Sequence, residues 1–105
     1  MERVEIIDKK ENGDRIKVTV SAWENSMKIH YDISVDESPK GRRKWFPVVD
    51  TDDYFYRRLG MTERREYCEK KNLEVAGSEI INKALLKCWE SMKPELYKDC
   101  EELKK

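Results

Sequence analysis

Apolar and polar residues alternate along two stretches in the first third of the chain. Ile16, Val18, Val20 and Ala22 are interleaved with Lys17, Thr19 and Ser21, and Met27, Ile29, Tyr31, Ile33 and Val35 with Lys28, His30, Asp32 and Ser34. A period of two puts each set on one face of a β-strand. A two-residue turn at Asn25-Ser26 would join the strands with Ala22 opposite Ile29, Val20 opposite Tyr31, Val18 opposite Ile33 and Ile16 opposite Val35. All eight then share one face, and a one-residue slip would destroy the match. Residues 3–9 read as an earlier strand. The Asn12-Gly13 pair after them tolerates positive φ and predicts a tight hairpin turn, with Ile7 opposite Val18 and Asp8 opposite Lys17. In that register Val4 and Ile6 face away from Ile7, so the inward side of this strand stays ambiguous.

Later the period changes. From Asn72 to Met92, the residues Leu73, Ile80, Ile81, Ala84, Leu85, Cys88 and Met92 recur at helical spacing, with Gly77 in the same stripe. They fall within an arc of roughly 140°. Glu79, Lys83, Lys87 and Glu90 point the other way, so the helix needs a cover for its stripe, and the strands offer one. Between these regions, Asp36 to Arg43 reads as a polar connection. Lys44 to Val49 reads as a fourth strand, confined to the edge because Pro47 cannot donate to a ladder. Asp50 or Thr51 suits the cap of a short helix closed by Arg57, Arg58 and Gly60, and Thr62 that of a second helix running to about Lys71. Pro94 suits the end of the long helix and the start of a last one with Leu96, Tyr97, Cys100 and Leu103 on one face.

These patterns predict a single α+β domain over residues 1–105. A three- or four-stranded antiparallel β-meander spans about residues 3–49. Helices follow from about residue 50, and the long one packs on the apolar sheet face in two layers.

Composition sharpens this picture. Of 105 residues, 42% are charged, yet the net charge is zero. Val, Ile, Leu and Phe make up about a fifth of the chain, just enough for a folded domain. A balanced charge argues against a general polyanion binder, so a nucleic-acid site would have to be a local patch. No apolar run nears the roughly 20 residues that span a membrane, and Met1-Glu2-Arg3 opens no secretory signal. Cys68, Cys88 and Cys100 are odd in number and widely spaced, which suits reduced thiols in a cytoplasmic protein.

Candidate chemistry is sparse. His30, the single histidine, shares a strand face with Asp32, but nothing nearby in the sequence supplies a nucleophile or a pocket. The cysteines lack the close pairing of a zinc site, so no metal or other cofactor is expected. The glycines form no phosphate loop. The strongest local feature is Lys40-Gly41-Arg42-Arg43-Lys44-Trp45-Phe46, four cations around two rings. Its rings could be core beside a solvated turn, or an interface anchor, or a stacking platform for unpaired bases. Trp23 stands out of phase with its strand's apolar face, beside Lys28. The Tyr54-Phe55-Tyr56 run cannot bury three rings on one side of a helix. The candidate binding residues are therefore Arg42, Arg43, Lys44, Trp45, Phe46, Trp23 and His30. The expected function is non-enzymatic docking on another protein, as an adaptor, inhibitor or subunit. The alternative is a nucleic-acid-binding module using Lys40–Phe46 with Arg57 and Arg58.

Overall fold

The computed structural model describes the backbone of residues 2–25 and 28–103, with side chains to residue 92. The chain forms a four-stranded antiparallel sheet in its N-terminal part followed by helices, an α+β fold. The strands are β1 (Glu2–Lys9), β2 (Arg15–Asn25), β3 (Lys28–Ser38) and β4 (Phe46–Pro47), in the order β1-β2-β3-β4. The helices are α1 (Tyr54–Arg57), α2 (Met61–Ala76) and α3 (Ser78–Leu103).

The apolar faces read from the alternation are correct, but the partners across the strands are not. Val20 pairs with Ile33 and Val18 with Val35, two residues from the expected register. A shift of two leaves every side chain on its own face, so the alternation could not detect it. Asn25, expected in the turn, is the last residue of β2 and pairs with Lys28. Met27 lies outside the described residues. The first hairpin differs by one, and that shift matters. Gly13 donates its N–H to the Lys10 carbonyl at 2.9 Å, and Lys10 donates to the Asp14 carbonyl at 2.7 Å, which closes a three-residue loop rather than a two-residue one. Gly13 takes φ +94°, the left-handed position that such a bulged loop reserves for glycine. Asp8 therefore pairs with Ile16, not Lys17, and Ile6 pairs with Val18. Val4 and Ile6 turn to the core and Ile7 to solvent, which resolves the ambiguity of β1.

The core lies between the sheet and α3. Ile16, Val18, Val20, Ala22 and Val35 meet Ile80, Ile81, Ala84, Cys88 and Met92. Ala84 and Cys88, one turn apart, are completely buried. These small side chains let the helix settle close against β1 and β2. Burial raises the Cys88 thiol above its ordinary range, and the Glu2 carboxylate adds to the shift.

The helices depart from the expected boundaries. The cap of α1 is Asp53, not Asp50 or Thr51; its carboxylate accepts the Phe55 N–H at 3.0 Å. Asp50 instead accepts the Asp52 N–H in a turn just before. Gly60, not Thr62, precedes α2, which makes no side-chain cap bond. The stretch from Asn72 to Met92 is two helices, because Gly77 ends α2 at φ +85°, ψ 155°. Leu73 belongs to α2 and is half exposed. β4 keeps only two residues of the expected six, at the predicted edge. Pro94 does not stop α3, which continues to Leu103. The hydrogen bond a proline forfeits would have come to the carbonyl of Glu90, an exposed residue, where water can replace the donor. The side chains of Leu96, Tyr97, Cys100 and Leu103 lie outside the described residues. Among the described residues no helix is long and apolar enough to cross a membrane.

Two expectations follow. Val18→Asp or Ala84→Asp, each burying an unpaired charge, abolishes cooperative unfolding in urea, whereas Ser34→Asp on the open face shifts the midpoint little. Gly77→Ala has open space for its Cβ, but its backbone lies where only glycine is at ease, so the variant loses about 1–3 kcal/mol in the same assay.

Candidate binding surface

The two faces of the sheet differ in cover. Helices take one face. The other carries Arg15, Lys17, Thr19, Ser21 and Trp23 of β2 beside Lys28, His30, Asp32, Ser34 and Asp36 of β3. The connection from β3 to β4 folds down onto one end of this polar face. Arg15 donates to the Ser38 hydroxyl at 3.1 Å and to the Arg42 carbonyl at 3.3 Å, and the Ser38 hydroxyl donates to the same carbonyl at 3.0 Å. The Trp45 ring lies 4.8 Å from the Arg15 guanidinium and 4.5 Å from the Lys17 ammonium. A second tie joins the turns: Asp14 accepts the Lys40 N–H at 2.8 Å. Lys40 also runs its methylene stem past Gly13, where a Cβ would come within 2.8 Å of it.

Of the candidate residues in this segment, Trp45 is thus tied into the fold and half buried. Arg42, Arg43 and Lys44 are exposed, and Phe46 is exposed with the Lys44 ammonium 5.7 Å from its ring. The sequence could not show that the cations holding Trp45 come from β2, some thirty residues earlier, rather than from its neighbours.

Trp23 and His30 lie at the other end of the polar face. They are cross-strand partners and their rings stack, with centroids 5.7 Å apart and planes within 20°. They border a groove of about 660 Å³ between β3 and the helices. Tyr31 and Ile33 form its sheet side; Tyr56, Arg64, Cys68 and Asn72 form its helical side. The groove exists because α2 is too polar to close on the sheet. Its one buried residue is Asn72, which donates to the Ile33 carbonyl at 3.4 Å. Val75 and Ala76 reach the core only at its last turn. The preceding turns stand clear of β3.

Against this wall sits α1. Tyr56 packs its ring 5.9 Å from Tyr67, with the Arg64 guanidinium 5.2 Å away. Its hydroxyl lies 4.0 Å from the Cys68 sulfur in a weak hydrogen bond. That thiol first, and burial second, hold the Tyr56 phenol above its ordinary range, against the opposing pull of Arg64. Tyr54 and Phe55 point outward instead, 66% and 75% exposed, as the three-ring argument requires. They meet edge to face at 6.1 Å, and Arg58 lies 5.2 Å from the Tyr54 ring. Met61, at the start of α2, is 87% exposed. Helical spacing in the sequence shows that a ring must be exposed here. It does not show which one, because that depends on where Tyr67 and Cys68 stand.

Among the described residues, no three His, Cys, Asp or Glu side chains converge as metal ligands would. Cys68 lies on the groove wall rather than in the core, and Cys100 has no described side chain.

If Trp45 holds the connection down, Trp45→Ala lowers stability by about 1–2 kcal/mol in urea, and residues 40–46 become the first site of limited proteolysis. Arg42→Glu with Arg43→Glu changes neither, since their side chains are exposed.

No family model matches the chain, and no similar curated protein or solved structure was found.

Proposed function

We propose that this protein is a non-enzymatic docking domain whose partner is another protein, engaged at the corner where α1 meets α2. The observation that carries this reading is the state of α1. It contributes no buried residue to its own fold, yet it holds two of the most exposed rings in the described chain. Exposed rings grouped with methionine and arginine have the composition that protein interfaces favour. Tyr54, Phe55, Met61, Arg57 and Arg58 supply it here. The corner is also held firmly. The Asp53 cap, the Tyr56–Tyr67 contact and an Arg64 bond to the Arg57 carbonyl at 2.9 Å fix the short helix in place. A preset surface loses less entropy on binding.

The segment Lys40–Phe46 is the seat of the alternative, a nucleic-acid contact. Trp45 is already occupied by Arg15 and Lys17, and Asp14, Asp36 and Glu37 stand among its cations. Both features favour protein over nucleic acid as the partner.

The test begins with a photo-crosslinker at position 55 to capture the partner from the native cell, followed by titration of the purified pair. Tyr54→Ala with Phe55→Ala weakens binding at least tenfold while the melting temperature stays within a degree or two. If the double variant binds as tightly as the parent, the corner is not the interface. If binding instead falls steeply with salt and is lost in Arg42→Glu with Arg43→Glu, the partner is a nucleic acid and the proposal fails.

A further inference from the structure

A different surface carries an inference that does not depend on the α1 corner. It is the outer edge of β3. Antiparallel strands alternate the direction of their backbone groups, and the N–H and C=O of one residue point to the same side. The Val35 carbonyl accepts the Val48 N–H at 3.0 Å and the Ile33 carbonyl accepts from Asn72, so the odd-numbered residues of β3 point their groups outward. β4 pairs only with Asp36 and Glu37. Among the described residues no strand lies beside Ile29, Tyr31 or Ile33, and α2 meets this edge through Asn72 at Ile33 while its earlier turns leave the groove open. An open edge with room beside it is a template for another strand.

The sequence of this edge selects the strand. Ile29-His30-Tyr31-Asp32-Ile33 is complementary to itself when reversed. With Tyr31 opposite Tyr31 of a second copy, Ile29 meets Ile33 and His30 meets Asp32, each twice by symmetry. The outward residues 29, 31 and 33 then fall on hydrogen-bonded pairs; about four inter-strand bonds are clear, and two more go to the Ile33 carbonyls, each of which accepts on its second lone pair beside Asn72. His30 and Asp32 fall on the intervening pairs, where Cα atoms come within about 4.5 Å and side chains are closest. Both lie on the polar, uncovered face. There an imidazole can donate to a carboxylate in either protonation state. On the other face, half-buried Ile29 and Ile33 extend the apolar layer. We infer that the chain forms a two-fold symmetric dimer through β3, pairing the open edges into one continuous sheet. A strand from an unrelated protein could use the same backbone groups, but it would have no reason to match Ile, His, Asp and Ile in this order.

Sedimentation equilibrium of the full chain from about 1 µM to 1 mM tests this, and the dimer should grow with concentration. His30→Asp sets carboxylate against carboxylate at both symmetric positions and weakens the dimer about tenfold. His30→Asp with Asp32→His restores the pairing in reverse and recovers most of that loss. Both variants lack the Trp23–His30 stack, so the difference between them isolates the contact across the edge. Their circular dichroism and melting report whether the monomer fold is kept. Independently of any variant, hydrogen exchange at the Ile29, Tyr31 and Ile33 amides should slow as concentration rises. A chain that stays monomeric at 1 mM, a dimer indifferent to His30→Asp, a double variant without recovery, or amides whose exchange ignores concentration would each overturn the proposal. None of these outcomes bears on the Tyr54–Phe55 corner, whose partner is measured separately.

Discussion

The contact on which the rest of the molecule depends is the close seat of α3 on β1 and β2. Ala84 and Cys88 bring the helix near enough for Ile80, Ile81 and Met92 to reach past them to Val18, Val20 and Ala22. Larger residues at these two positions would lift the helix off the sheet and leave gaps, each costing stability in proportion to the volume left unfilled. Few other apolar groups are available to compensate, since nearly half of the chain is charged. Among the described residues the ion pairs are Arg3–Glu5 and Lys71–Glu74, both largely exposed, and such pairs contribute little. Stability therefore rests on one thin layer of aliphatic packing.

That economy shapes the surface. With the apolar residues spent on α3, α2 docks only by Asn72 and its last turn. The rest of α2 leans away from β3, and the groove and the bare strand edge follow from its composition. The same shortage explains Trp45. It caps the polar sheet face by resting on Arg15 and Lys17, a mode of packing that uses charge where another protein would use a second hydrophobic layer.

What the sequence disclosed and what it withheld divide along physical lines. Residue-to-face assignments in β2 and β3 were legible because alternation fixes a face whatever the register. Register was not, because Val18 fits Val35 as well as it fits Ile33. The one-residue error in the first hairpin came from Gly13, which suits a two-residue turn and a bulged three-residue loop alike. Val4 and Ile6 against Ile7 held the correcting information, since only the bulged loop turns the pair inward. The break at Gly77 was hidden because a glycine in the stripe keeps the helical spacing on both sides of it. Of the candidate site, Trp23 and His30 were identified as unusual but not as partners, and the groove beside them could not be read at all. It depends on how far α2 stands from β3, a distance that no local pattern encodes.

The order of these elements also has a consequence for synthesis. The strands that carry the apolar face are made first, and the helix that covers it comes last, with about 45 residues between Val35 and Ile80. At ordinary elongation rates that interval lasts roughly 2–10 s. Throughout it, a hairpin with one greasy side and an unguarded rim is present on the ribosome without its lid. Lys28, His30 and Asp32 along the rim would then act as gatekeepers, discouraging adhesion to unrelated nascent chains whose charges do not match theirs.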